Sequence, residues 1–140
     1  MSTGVPAKLA AALRTWNSGP GGSALLQIAN DVGAALQSGG MKSYAIMKSA
    51  CASLGTSVSA AGTGPPIPDA AMQSKYSAAL SVLAKAASDC SSAISVQRTD
   101  EFVDGKADPA ALHLAQGELD NGITSLADLR IVIDAATAGG

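Results

Sequence analysis

With 140 residues, the chain has the length of one domain built on one hydrophobic core. It is rich in Ala, Ser and Gly, only 3% of its residues are aromatic, and its net charge is -2. Nine Lys and Arg residues, none of them in a run, exclude the basic face that displaces counterions from a nucleic-acid duplex.

Ala loses no side-chain entropy in a helix, so Ala-dense segments with few β-branched residues predict helices throughout. The first covers about 6–16. Pro6 suits its first turn, and Leu9, Leu13 and Trp16 line one face. Asn17-Ser-Gly-Pro-Gly-Gly22 then breaks the chain. Ser23 is the expected N-cap of a second helix over 23–37, in which Leu25, Ile28, Val32 and Leu36 recur at three- and four-residue spacing. Gly39-Gly40 reads as its C-cap and reversal. A third helix, 41–61, carries Tyr44, Met47, Cys51, Leu54 and Val58 on one stripe. After the link Gly64-Pro65-Pro66-Ile67-Pro68, Asp69 caps a fourth helix over 69–96. Its stripe is Met72, Tyr76, Leu80, Leu83, Ala87, Cys90 and Ile94. A polar, acidic loop is expected over 97–107. Asp108-Pro109 then opens a fifth helix over 109–136, with Leu112, Ala115, Leu119, Ile123, Leu126, Leu129 and Ile133 inward. No segment alternates convincingly with period two, so no strand is expected. The expected fold is all-α, an antiparallel four-helix bundle with helix 6–16 as an extra arm. It forms a single domain, 1–140, frayed at 1–5 and 137–140.

Cys51 and Cys90 fall on the apolar stripes of the two helices flanking the proline link. Two readings are open. Free Cys behaves as a small buried hydrophobe, and a cytosolic protein keeps both thiols reduced. The other reading is a structural disulfide in an exported domain. A disulfide needs Cα atoms about 4.4–6.8 Å apart. In a flush hairpin Cys51 faces position 79, which leaves Cys90 roughly 16 Å away along the axis. A flush hairpin therefore forbids the bond. An extended proline-rich link rises about 3.1 Å per residue, so the seven residues from Gly62 to Pro68 cover roughly 22 Å. The disulfide thus predicts a staggered pair, with the fourth helix overhanging the third at its N-terminal end.

No apolar stretch approaches the ~20 residues that span a bilayer. Met1-Ser-Thr-Gly-Val-Pro6 lacks the charged and apolar regions of a signal peptide. That fits a cytosolic protein, or an exported domain whose signal has been trimmed. Taken together, Trp16-Asn-Ser-Gly-Pro-Gly-Gly22, Asn30-Asp31, the two helical cysteines and Pro65-Pro-Ile-Pro-Asp-Ala70 resemble small Ala-rich exported proteins of actinobacteria, many of them lipoproteins. The resemblance implies a helical domain outside the cytoplasmic membrane, with its export signal absent here and any lipid anchor on a missing N-terminal segment. It carries over no functional residue.

The remaining candidates have bland readings beside their sharp ones. His113, the only histidine, could serve as a haem ligand opposite Met41, Met47 or Met72. It falls on the Gln116 and Asp120 side of its helix, as a surface His would. Asp100, Glu101, Asp104 and Asp108 suggest an oxygen-rich Ca²⁺ loop. Laid on an EF-hand, however, the third and twelfth positions are Phe102 and Ala111, so a solvated loop with a capping Asp108 is expected. No metal or cofactor is expected. Trp16 is read as a packing anchor for the arm and as a candidate contributor to a recognition surface. The many serines lack Gly-x-Ser-x-Gly, and no enzyme is expected. The resulting expectation is a non-enzymatic exported domain that binds a protein or an envelope component. The alternatives are a bundle carrying an apolar ligand or haem, and a cytosolic protein with two reduced buried thiols.

Overall fold

A computed structural model describes residues 6–98 and 103–138. Among these residues the chain is predominantly helical, with α1 (Ala7–Ser18), α2 (Pro20–Gly40), α3 (Tyr44–Gly62), α4 (Ala70–Ala93) and α5 (Pro109–Ala138). The expectations for residues 1–5, Asp100, Glu101 and 139–140 lie outside the described residues.

Two short strands, β1 (Ile94–Arg98) and β2 (Val103–Ala107), pair antiparallel, with Ile94 opposite Ala107 and Arg98 opposite Val103. This corrects the expectation of a strandless chain and of a helix running to 96. Ile94 follows Cys90 by four residues, so its burial mimics one more helical turn. Its backbone is instead extended, at φ -116° and ψ 127°. The Asp108 N–H donates to the Ala93 carbonyl at 2.9 Å and closes the base of the hairpin. Asp108 also caps α5 as expected, its Oδ1 accepting from the Ala110 N–H at 3.1 Å.

The junction of α1 and α2 is tighter than the glycine-rich sequence suggests. Only Gly19 is non-helical, and Pro20 starts α2 directly, where a missing N–H does no harm. Ser23 is therefore inside the helix and not its cap. The glycines serve close approach. A Cβ on Gly21 would run into the Trp16 indole, and one on Gly22 into the Asn17 carbonyl.

At the other end, α2 runs through Gly39 and Gly40 and stops three residues beyond the expected end at 37. The Ser43 N–H donates to the Ser38 carbonyl at 2.8 Å and the Lys42 N–H to the Gly39 carbonyl at 3.1 Å. These two bonds form a Schellman motif, whose left-handed position is taken by Lys42 at φ 58°. That conformation crowds the Cβ of any residue but glycine. Lys42→Gly is expected to stabilise the protein by roughly 0.5–1 kcal/mol, the relief of strain exceeding the extra chain entropy. The urea midpoint should rise with an unchanged m value.

The stagger of α3 and α4 is the expected one. Eleven residues separate Cys51 from the end of α3 at Gly62, and twenty separate Cys90 from the start of α4 at Ala70. With Cys51 and Cys90 side by side, α4 runs nine residues past α3, roughly 14 Å. Asp69 caps α4, its Oδ2 accepting from the Met72 N–H at 3.0 Å. Ile67, within the proline link, is 3% exposed and plugs the gap, its N–H donating to Gln73 Oε1 at 2.7 Å.

The overhang leaves the first turns of α4 without α3 beside them. The arm covers them, because Trp16 packs edge-on against Tyr76 and donates from Nε1 to the Pro65 carbonyl. α1 also touches α5, and Arg14 Nη1 donates to the Thr137 carbonyl at 3.1 Å. This contact is one reason α5 continues to Ala138 where fraying from 137 was expected. The stripes read from the sequence form one apolar core, in which Leu13, Ile28, Val32, Met47, Leu54, Leu83, Leu119 and Ile133 are sealed from solvent.

Candidate functional site

Cys51 and Cys90 lie on facing stripes, and their sulfurs are at bonding distance with Cα atoms 6.2 Å apart. Neither is exposed at all. Gly55 faces Ala87 one turn further along, so the small residues let the helices approach at this level. The pair is enclosed by packing and presents no sulfur to a substrate or a metal.

Trp16 is placed differently from one of its two expected roles. It is 6% exposed, with its ring centroid 5.7 Å from that of Tyr76 at an interplanar angle of 85°. The anchor role agrees with this placement. The recognition-surface role does not, because the indole is spent on closing the end of the helix array. Tyr76 beneath it is desolvated, and burial holds its hydroxyl pKa above the usual tyrosine value.

The concave features lie where two helices meet at the surface. Between α4 and α5 runs a groove of about 340 Å³. Its floor is buried Ala79 and Leu129, its walls are the half-exposed Val82 and Val132, and Lys75 and Asp128 stand on its rim. Toward the hairpin end of this face, Lys85 Nζ bridges Asp89 Oδ2 at 2.8 Å and Glu118 Oε2 at 3.0 Å. The hydrogen bond to Asp89, then that to Glu118, raises the Lys85 pKa, and the Lys85 bond lowers that of Asp89. Both groups are solvated, so this bridge orders the helix surface and adds little stability. A second cleft, of about 430 Å³, lies between the start of α2 and the end of α3 and is lined also by Pro65 and Tyr76.

A third concavity, also about 430 Å³, follows the outer junction of α2 and α3. The residue at its floor is Asp31, which the sequence reading named only within the resemblance and gave no role. Asp31 is 9% exposed and is one of two buried polar side chains among the described residues. Its Oδ1 accepts from Gln27 Nε2 at 3.1 Å and its Oδ2 from Ser57 Oγ at 2.6 Å. A signal was present in the spacing. Asp31 is three residues after Ile28 and four before Ala35, within the apolar stripe of α2.

His113 is exposed on α5, Met41 is exposed, and Met47 is buried against Gly39. Among the described residues no three His, Cys, Asp or Glu side chains gather as a metal-ligand cluster, and no helix is long and apolar enough to cross a membrane. No family model, curated protein or solved structure matches the chain.

Proposed function

We propose that this protein is a non-enzymatic binding domain that works outside the cytoplasmic membrane. In this reading α2 to α5 form one antiparallel four-helix bundle, which acts through contacts with a protein or another envelope component. The observation that carries the reading is the α4/α5 face. There Val82 and Val132, 37% and 39% exposed, flank a groove with an apolar floor. Exposed apolar side chains beside a ready-made groove are the surface a partner dehydrates on binding. The sealed Cys51–Cys90 pair supports the location, because structural disulfides persist in oxidising compartments. The approach of Gln116 on α5 to Gly39 on α2 supports closure of the bundle. The resemblance to actinobacterial lipoproteins extends the proposal to a lipid anchor on a segment preceding this domain.

The test is co-sedimentation of the purified protein with isolated cell envelopes. The wild type should be retained at micromolar concentration. Val82→Asp combined with Val132→Asp should cut retention at least about tenfold, since each buried charge costs more than 1.4 kcal/mol. Both positions are solvent-facing, so thermal unfolding of the variant should match that of the wild type. Equal retention of the two proteins, or none for either, overturns the reading.

A further inference from the structure

The α2/α3 groove has an unusual floor. Its other lining residues, Ala34, Ala45, Ile46, Ser49, Ala50 and Ser53, are exposed or half-buried, and the one buried residue is the acid Asp31. Among the described residues the ion pairs are those of Lys85, so Asp31 has no basic partner there. Gln27 and Ser57 supply neutral donors and leave the negative charge uncompensated. A carboxylate in this position is costly without an opposite charge. Each carboxylate oxygen has two acceptor positions, and one on each is taken.

We propose that this groove binds a primary ammonium group, with Asp31 as its counter-ion. Ser53, one turn from Ser57 on α3, accepts from a remaining ammonium proton, and Ala34 contacts the alkyl stem, which follows the groove toward Ile46. A compact ammonium with three freely rotating donors fits one partly used carboxylate flanked by a hydroxyl. A planar guanidinium is matched instead to a carboxylate free to accept through both oxygens in one plane. The ammonium belongs either to a small alkylamine or to a lysine side chain of another protein. The site is separate from the α4/α5 groove, so either proposal can fail without the other.

The experiment is a titration of ¹⁵N-labelled protein with n-pentylamine at pH 7, followed through backbone amide shifts. Saturable shifts are expected at Ala34, Ile46, Ser49 and Ser53. Affinity should fall at least tenfold in Asp31→Asn, which keeps an acceptor for Gln27 and can donate to Ser57. Pentan-1-ol, with the same stem and no charge, should give no saturable shift. Should Asp31→Asn not fold, the exposed Ser53→Ala carries the test. A loss of threefold or more supports the site, and unchanged affinity overturns it. Non-saturating pentylamine shifts, equal affinity in Asp31→Asn, or equal binding of pentan-1-ol also overturn it. Saturation by Nα-acetyl-lysine methylamide as well assigns the ammonium to a protein lysine. Saturation by pentylamine alone assigns it to a free amine, and both outcomes support the site.

Discussion

Replacing both cysteines, Cys51→Ala with Cys90→Ala, is expected to lower stability by about 4 kcal/mol. The bond joins residues 39 positions apart, and closing a loop of that length removes denatured-chain entropy worth about that much at 25 °C. For a domain of this size the unfolding temperature should fall by roughly 10 °C or more. Burial adds a kinetic expectation. With neither cysteine exposed, a thiol reductant has no line of attack on the folded protein. Reduction under native conditions should therefore follow the opening of the α3–α4 pair, and it should become fast once guanidinium unfolds the chain. Mass spectrometry after alkylation reads both states. Rapid reduction of the folded protein, or a double variant within 1 kcal/mol of wild type in urea unfolding, would show that the bond does not constrain the fold.

The helices and their inner faces were legible because each is long and its apolar spacing is regular. The stagger of α3 and α4 was legible for a different reason. Two cysteines at fixed helical positions and a link of limited reach leave one geometry in which all three are satisfied. The hairpin was hidden by local ambiguity. Ile94-Ser95-Val96-Gln97 alternates over only four residues, while Ile94 also continues the Cys90 stripe, and the strand is settled by its non-local pairing with β2. The start of α2 was misplaced because glycine reads as a breaker, whereas Gly21 and Gly22 let two helices meet around Trp16. Lys42 gave no signal at all, since left-handed backbone at a lysine is imposed by the hydrogen bonds closing the turn. Asp31 was given no role although its spacing from Ile28 and Ala35 sets it in the apolar stripe of α2, because its hydrogen-bond partner across the helix junction is distant in sequence. Ser57 lies 26 residues away, next to Val58 on α3.

Trp16→Ala is expected to cost about 3–5 kcal/mol, the range for deleting a large buried aromatic. The loss has three parts. The indole fills the end of the core left open by the overhang of α4. Its edge-on contact with Tyr76 adds about 0.5–1.5 kcal/mol beyond burial. Its Nε1–H satisfies the Pro65 carbonyl at 2.9 Å, a bond worth about 1 kcal/mol. Trp16→Phe keeps the ring contact and loses the bond, so it should cost less than half as much. Urea unfolding of both variants measures the difference, and a loss below 1 kcal/mol for Trp16→Ala would show that the arm does not seal the end of the core. The two large effects should also be coupled. The disulfide fixes how far α4 overhangs, and Trp16 fits only that overhang. Once the cysteines are gone, α3 and α4 can relax toward a flush pair, and part of what Trp16 packs against disappears. The triple variant should therefore lose roughly 1 kcal/mol less than the sum of the separate losses, within the range found for residues sharing one structural element. Additive losses would mean that the covalent bond and the indole hold the stagger independently.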